Sequence, residues 1–326
     1  MTPSNLQDQL TKYLTDAHSI EEQALVQLRM APRLAGDAQI AGHFSQHLTE
    51  TKEQERLVRQ RLQDRGASPS RIKDMAGMAT GVGFALFAKL NPDTPGKLVN
   101  HAFSYEHMEL AAYDLLARVA DRAGDAETAR VAREIEAQES AMADRLAGSF
   151  DLAVQASLRD LSPSDIDEQL GKYLADAHAL EAQAVQLLEK GPKLAGTPEL
   201  ASAYQDHLAV THEHQRLVDG RLKAKHSRPS RFKDAALRLG ALNWGTFFAA
   251  QPDTPAKLAA FAYAFEHLEV GAYELLARVA NRAGDTETEA LAQRILADEH
   301  AAADRIRSLF DRALDASLEA QGVGAR

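Results

Sequence analysis

The strongest constraint in this sequence is an internal repeat. Adding 160 to the number of a residue in the first half gives its counterpart in the second half, without a gap. The match is clearest in three segments, because residues 12–18, 69–74 and 115–120 return with few changes at 172–178, 229–234 and 275–280. A unit of this length is a whole domain rather than a solenoid repeat. We therefore predict two tandem copies of one domain, covering residues 1–159 and 160–326.

The residue types in each copy favour helices over strands. Hydrophobic residues make up 45% of the chain and aromatic residues only 6%, whereas Ala, Leu, Glu, Gln and Arg are abundant. No cysteine is present, so disulfides, thiolate metal sites and thiol catalysis are excluded. The fold class predicted from these features and from the periodicity below is all-α.

Charge and hydropathy limit the possible partners. The formal net charge is -10, with acidic and basic residues mixed along the chain, which argues against nucleic acid as the main partner. The first five residues lack the basic and apolar regions of a signal peptide. No stretch approaches the ~18 consecutive apolar residues of a membrane span. We therefore expect a soluble, cytoplasmic protein without a membrane span.

Apolar residues at spacings of three and four predict four long helices in each copy. The fourth helix is expected to run to about Leu158. Residues that favour helix N-termini stand at the expected starts. They are Ser4 with Gln7, Ser164 with Asp167, Asp37, Thr197 and Asp125.

The connection between the second and third helices is unusually long, at about thirty residues between Gly66 and Pro95. Such a connection suits a crossover that makes the third helix parallel to the second, as in ferritin-like bundles. It contains an apolar, Gly-rich stretch at residues 75–90, repeated at 235–250. We predict a short apolar helix there, packed on the bundle or at a domain interface. Contact with a membrane surface is the alternative.

A glutamate interrupts the apolar stripe of three helices in each copy. In the first copy Glu21, Glu109 and Glu139 occupy positions where the spacing calls for an apolar residue. Glu181, Glu269 and Glu299 occupy the same places in the second copy. Counting residues from the helix turns at ~1.5 Å each places these glutamates near mid-helix. We therefore expect them to converge inside the bundle.

The second helix has a less regular face. His47 and His207 lie on it in both copies, whereas Glu50 becomes Val210 and Gln54 becomes His214. By itself, a histidine on such a face is more often a satisfied core residue than a metal ligand. Beside converging glutamates, His47 becomes a candidate ligand.

Several carboxylates in one interior must be compensated. Removing a carboxylate from water costs on the order of several kcal/mol, and close carboxylates repel each other. A divalent metal would offset this cost, and oxygen with imidazole ligation suits iron, manganese or zinc. The alternatives are snorkelling, protonation, or pairing with an arginine such as Arg56 or Arg133. We expect His18 and His107 to hydrogen-bond carboxylates, and the tyrosines at 13, 105 and 113 to be packing residues, with Tyr105 a candidate donor.

Four motifs together resemble a known family. They are Asp-Ala-His-x-x-Glu at 16–21, His-Leu-x-x-Thr at 47–51, Pro-Ser-Arg-x-Lys-Asp at 69–74 and Glu-His-x-Glu-x-x-x-Tyr at 106–113. In nearly its whole length each copy resembles the YciE/YciF family of bacterial ferritin-like stress proteins. The resemblance implies a ferritin-like bundle, a dinuclear metal site and an association with general stress responses.

The ligands implied by the resemblance are Glu21, Glu50, Glu109 and Glu139, with Glu106 nearby, and in the second copy Glu181, Glu269 and Glu299, with Glu266 nearby. The chain departs from the usual di-iron pattern, in which the second and fourth helices each contain Glu-x-x-His. Here those helices contain Glu-x-x-Glu at 50–53 and 136–139. In the second copy only three histidines could replace the ligand missing at Val210, and these are His207, His214 and His300.

Two hypotheses follow. In the first, the protein is a ferritin-like metal-binding protein whose first copy has the better di-metal site. Iron is the expected metal, and manganese and zinc are the alternatives. In the second, it is a non-catalytic structural or interaction module with a degenerate site. The sequence leaves catalytic turnover open. A fused pair also predicts an intramolecular pseudo-dimer of the two copies, with further oligomerisation open.

Overall fold

A computed structural model describes residues 5–68, 94–225 and 253–323. Within these ranges the chain contains eleven helices and no strand, so the predicted all-α fold is confirmed. The chain divides into two compact units, Met1–Arg159 and Asp160–Arg326. Each unit is described by itself below.

The first unit contains six helices in the described ranges. They are α1 (Leu6–Leu28), α2 (Ala31–Leu34), α3 (Ala38–Asp64), α4 (Thr94–Arg122), α5 (Ala126–Ala147) and α6 (Phe150–Leu158). The second unit repeats this order with five: α7 (Pro163–Leu194), α8 (Pro198–Ala224), α9 (Thr254–Ala283), α10 (Thr286–Ser308) and α11 (Phe310–Glu319). The predicted fourth helix is therefore interrupted in the first unit, at Gly148 and Ser149.

The helix starts agree with most of the predicted caps. The side chains of Asp37, Thr197 and Asp125 accept hydrogen bonds from the first-turn amides of α3, α8 and α5. Two predicted caps are wrong by one or two residues. Asn5 caps α1 with Asp8 as its reciprocal partner, and Ser162 caps α7 with Asp165, because each pair forms a complete capping box.

Four long helices form the bundle of the first unit. Helix α1 packs on α3 and α4, and α5 packs on the same two helices. The helices that pack on each other are antiparallel, because early residues of one meet late residues of the other. Since α3 and α4 are both antiparallel to the same helices, they are parallel to each other. A parallel second and third helix is the ferritin-like topology predicted from the long connection. The same packing recurs among α7, α8, α9 and α10.

Two sequence predictions cannot be compared with the structure. The apolar helix expected at residues 75–90 and 235–250 lies outside the described residues, as does the Pro-Ser-Arg-x-Lys-Asp motif. None of the helices in the described ranges combines the length and the apolar character that a membrane crossing requires.

The first hairpin fixes the axial position of α1 against α3. Gly36 stands at its turn with φ +67°, a left-handed conformation that costs a residue with a Cβ about 1–2 kcal/mol. A Cβ at this position would also lie 2.6 Å from Pro95 Cγ. Gly124 has φ +70° at the second hairpin, but a Cβ there would meet nothing within 4 Å.

We therefore predict that Gly36→Ala destabilises the first unit more than Gly124→Ala does. The expected loss in unfolding free energy is about 2–4 kcal/mol for Gly36→Ala, from backbone strain plus overpacking, and about 1 kcal/mol for Gly124→Ala. Denaturant unfolding of the full chain would measure both. Equal losses of unfolding free energy in the two variants would contradict a destabilising contact between the new Cβ and Pro95.

Candidate metal centre

The core of the first bundle contains a group of charged residues among apolar side chains. Glutamates come from α1, α4 and α5, and a histidine comes from α3. All are at most 3% exposed, so bulk water does not reach them: Glu21, His47, Glu106, Glu109 and Glu139. Their helices place them here because each stands on the apolar stripe that faces the bundle axis.

Four of these residues form a compact ligand set. One side-chain nitrogen or oxygen from each of His47, Glu106, Glu109 and Glu139 lies within 4.8 Å of all the others. His47 Nε2 is 3.2 Å from Glu106 Oε2 and 3.3 Å from Glu139 Oε2. These contacts are ion pairs if the ring is protonated. The donor atoms are also close enough to one another to bind one ion together.

Many of the buried polar atoms have no hydrogen-bond partner. Both carboxylate oxygens of Glu109 and of Glu139 are buried and unpartnered, as are Glu21 Oε2, Glu106 Oε2 and His47 Nε2. Native proteins contain few such atoms, because each costs about 1–3 kcal/mol or more when charged. This concentration of unpartnered donor atoms fits a divalent cation bound among them.

Glu21 is oriented by a tyrosine. The Tyr113 hydroxyl donates a hydrogen bond to Glu21 Oε1, and Tyr273 does the same to Glu181 in the second bundle. The sequence analysis expected Tyr113 to be a packing residue only, and the structure shows that it is also a hydrogen-bond donor. Its position four residues after Glu109, on the same face of the helix, could have indicated this. Tyr105 was the expected donor, but its hydroxyl donates to the main-chain oxygen of Ile20 at 2.9 Å.

Glu50 lies beside the ligand set rather than in it. It is half-buried, and its Oε2 is 3.1 Å from His47 Nδ1 and 3.0 Å from Arg145 Nη2. These contacts lower the pKa of Glu50 to about 2. When the ring is neutral, Glu50 can accept the Nδ1 proton and so leave the lone pair on Nε2, which faces Glu106 and Glu139, as carboxylates commonly do behind metal-binding histidines.

The arginines proposed as alternative partners do not reach the cluster. Arg56 pairs with the exposed Glu53, and Arg133 pairs with Asp121. The interpretation that either guanidinium neutralises the core carboxylates is therefore wrong. His18 does bond a carboxylate, with its Nε2 2.9 Å from Glu55 Oε1, and Glu22 completes a separate group there. His107 instead donates from Nδ1 to the carbonyl of Phe103 at 2.7 Å.

The second bundle has a related but different set. His207 Nε2 is 3.0 Å from Glu266 Oε2 and 3.1 Å from Glu299 Oε2. His214, at the position of Gln54, places Nδ1 2.9 Å from Glu299 Oε1. Two groups result, one of His207, Glu266 and Glu299 and one of Glu181, His214 and Glu299.

Glu269 is fully buried beside these groups, with both oxygens unpartnered. His300, which was considered as a replacement ligand, is exposed. Of the three histidines considered, His207 and His214 lie in the groups of acidic residues and histidine. Position 214 stands on the inward face of its helix, so the helical periodicity already indicated this placement.

Burial and mutual repulsion change the ionisation of the cluster. Burial raises the pKa of Glu21 to about 8 and that of Glu109 and Glu139 well above the usual range, with repulsion among the carboxylates adding to the effect. Burial alone would lower the pKa of His47, but Glu106, Glu50 and Glu139 raise it to about 11. Without a metal, the first bundle therefore contains protonated carboxyl groups beside an imidazolium.

The second bundle shows a similar pattern with one exception. Burial raises the pKa of Glu181 to about 8 and that of Glu266 to about 7. Burial would also raise the pKa of Glu299, but His207 and His214 lower it to about 2. Glu299 is thus held as a carboxylate between two histidines.

A small cavity adjoins the first cluster. It has a volume of about 20 Å³, and its lining includes Gln27, His101, Tyr105 and Glu106. This is enough space for one water molecule. Burial lowers the pKa of His101 to about 4, so this wall of the cavity is uncharged at neutral pH.

The fold and the cluster define a class of protein. A four-helix bundle with a parallel second and third helix, and with buried glutamates and histidine that could hold a metal ion, belongs to the ferritin-like class. The family model described as "Domain of unknown function (DUF892)" matches residues 5–159 and again residues 165–319. The chain therefore belongs to this family, the YciF-like ferritin-like family, in two tandem copies. No solved structure matches the chain.

The ionisation of the cluster predicts how the metal-free protein responds to pH. Glu21 and Glu181 have folded pKa values of about 8 against 4.5 unfolded, so their contribution to stability is full below pH 4.5 and is lost as the pH rises to 8. His47 acts in the same direction between pH 6.5 and 11. We predict that each bundle of chelator-treated protein is less stable at pH 8.5 than at pH 5.5, by roughly 3 kcal/mol from its glutamate alone.

Chemical denaturation at the two pH values would measure this loss. Glu21→Gln with Glu181→Gln should flatten the pH dependence, because two of the titrating groups are removed. A metal-free protein whose stability is constant or rises over this range would contradict the described ionisation.

Proposed function

We propose that the protein binds divalent metal ions in the core of each bundle, iron foremost, with manganese or zinc as alternatives. The first bundle would use His47, Glu106, Glu109 and Glu139. The second would use Glu181, His207, His214, Glu266, Glu269 and Glu299. The observation that supports this most strongly is the set of buried, unpartnered carboxylate oxygens in both units.

Energetics favour a bound cation over an empty polar core. Each buried carboxylate costs on the order of several kcal/mol without compensation, whereas a whole domain is stable by only ~5–15 kcal/mol. Protonation removes the charge of some glutamates, but among the described residues neither oxygen of Glu109 or of Glu139 has a hydrogen-bond partner as placed. A divalent ion would neutralise the carboxylates and use the same oxygens as ligands.

The donor atoms also select among metals. Three carboxylates and one imidazole form an oxygen-rich, borderline set, which suits iron, manganese and zinc better than copper or a thiolate-bound metal. Glu50 holds the tautomer of His47, and Tyr113 holds one oxygen of Glu21. Both are typical of residues that orient metal ligands from behind.

We further propose that the bound metal serves in defence against oxidants, as part of an oxidative or general stress response. Iron or manganese at such a site can exchange electrons with oxygen or peroxide. The protein would contribute the ligands, an apolar shell that excludes bulk water, and a cavity beside Glu106 with space for one water-sized molecule. The family resemblance supports the link to stress.

The competing function is a structural or interaction module with a degenerate site. That interpretation requires the core carboxylates to be compensated by side chains. The arginines considered for this role pair elsewhere, and among the described residues the cluster oxygens remain unpartnered. Histidines do compensate part of this charge, since His47 pairs with Glu106 and Glu139. One imidazolium does not balance three carboxylates, however, so we retain metal binding.

The sharpest test replaces Glu109 and Glu139 together by glutamine, which keeps their shape and removes their charge. We predict that Glu109→Gln/Glu139→Gln lowers Mn(II) or Zn(II) affinity of the first bundle at least ~100-fold. The metal-free variant should be as stable as the metal-free parent, because glutamine has the shape and the neutral charge of the protonated glutamates that it replaces. Isothermal titration calorimetry and elemental analysis would measure binding.

The matched control is Glu134→Gln, on the same helix as Glu139 but exposed and paired with Arg130. It should bind metal like the parent protein. The proposal would be overturned if the parent, purified and dialysed after exposure to iron, manganese and zinc, contained none of them.

The proposed role in oxidant defence has its own test. Parent protein loaded anaerobically with Fe(II) should remove added hydrogen peroxide at least ~10-fold faster than a variant with four substitutions. These are Glu109→Gln, Glu139→Gln, Glu269→Gln and Glu299→Gln. Unbound iron would be removed first, and the rate of peroxide loss would then be measured. Equal rates would contradict the role in oxidant defence while leaving metal binding intact.

A further inference from the structure

Two pairs of equivalent positions differ between the copies in a correlated way. In the first bundle Gln54 Nε2 donates to Gln138 Oε1 at 3.0 Å. In the second bundle the same positions contain His214 and Asp298, with His214 Nε2 3.2 Å from Asp298 Oδ2. An amide pair in one copy is therefore an imidazole–carboxylate pair in the other, and both pairs join the second long helix to the fourth.

The second pair prepares His214 to bind a cation. Asp298 is 43% exposed at its side chain and can only accept, so it fixes the proton of His214 on Nε2 when the ring is neutral. The opposite nitrogen, Nδ1, is buried without a hydrogen-bond partner. It lies 2.9 Å from Glu299 Oε1 and 3.7 Å from Glu181 Oε1.

Glu299 connects this histidine to the rest of the cluster. Its Oε1 faces His214, and its Oε2 faces His207 at 3.1 Å. Each oxygen thus belongs to a separate group with a histidine and a second glutamate, which is Glu181 on one side and Glu266 on the other. A carboxylate whose two oxygens serve two ligand groups has the arrangement of a bridge between two ions.

The first bundle lacks an equivalent of the group that contains His214. Its other group of acidic residues and histidine, His18, Glu22 and Glu55, is already compensated, because Arg59 donates to both oxygens of Glu55. Its only histidine in the cluster is His47, and the four atoms from His47, Glu106, Glu109 and Glu139 form one group. At the position of His214 it has Gln54, whose Oε1 is an uncharged and weaker ligand atom.

We propose that the two copies hold different numbers of ions, one in the first bundle and two in the second, where Glu299 bridges and His214 is a ligand. This inference rests on the proposed metal binding and reverses the expectation that the first copy has the better di-metal site. The second bundle, with two imidazoles, would also bind nitrogen-preferring ions such as zinc more tightly than the first.

The chain itself supplies reciprocal variants for the test. His214→Gln/Asp298→Gln makes the second bundle like the first, and Gln54→His/Gln138→Asp makes the first like the second. Each new pair already exists in the same helical context of the sister copy, so both variants should fold. His212→Gln, exposed on the same helix as His214, is the matched control.

Full-length protein loaded with Mn(II) and dialysed should contain three ions per chain by elemental analysis. His214→Gln/Asp298→Gln should contain two, Gln54→His/Gln138→Asp should contain four, and the control should contain three. In electron paramagnetic resonance, the spin-coupled Mn(II) pair of the parent should be absent from His214→Gln/Asp298→Gln. Circular dichroism and thermal unfolding would show that each variant is folded.

The possible failures are distinguishable. A parent chain that binds no metal overturns metal binding itself and this inference with it. A parent chain that binds metal, with a stoichiometry that both exchanges leave unchanged, overturns only the assignment of His214 and the bridging role of Glu299. A spin-coupled Mn(II) pair that persists in His214→Gln/Asp298→Gln would also overturn this assignment.

Discussion

The structure depends on one electrostatic constraint, the presence of several carboxylates in an interior from which water is excluded. In the first bundle Glu109 and Glu139 are at most 1% exposed, and all four of their oxygens lack hydrogen-bond partners. The bundle cannot move these groups to the surface, because each stands on the stripe that packs the helix against its neighbours. The other polar residues of the core are arranged around this constraint. Tyr113 holds Glu21, and Glu50 holds His47.

The sequence predicted the skeleton of this arrangement but not its contacts. The gaps in apolar stripes located Glu21, Glu109 and Glu139, because helical periodicity alone determines which face a residue occupies. Which atoms meet depends on side-chain rotamers and on helix packing, and neither is visible in a periodic pattern. Glu50 illustrates this, since it was expected among the ligands and instead turns towards Arg145 at the edge of the bundle. Tyr113 had the right spacing for a donor to the cluster, but a buried tyrosine more often only packs.

The duplication shows which parts of the buried cluster are constant and which vary. The constant parts include most of the charged core, such as His47 and His207, and the hydrogen bonds from Tyr113 and Tyr273 to a glutamate. At the ends of the bundles, Arg61 and Arg221 bridge in the same way to Asp125 and Asp285. The ligand set also contains positions that differ between the copies. The clearest case is Gln54, which is His214 in the second copy, because the surrounding helices are equivalent and the side chain that faces the cluster changes.

The central claim is that the buried glutamates and histidines are ligands of a metal. Anomalous diffraction from crystals of metal-loaded protein, collected on both sides of the iron, manganese and zinc absorption edges, tests it most directly. The account predicts an anomalous peak at bonding distance, about 2.0–2.3 Å, from His47 Nε2 and from oxygens of Glu106, Glu109 and Glu139. Ordered carboxylates at these positions, with water or a guanidinium group between them and no anomalous peak at any edge, would contradict it.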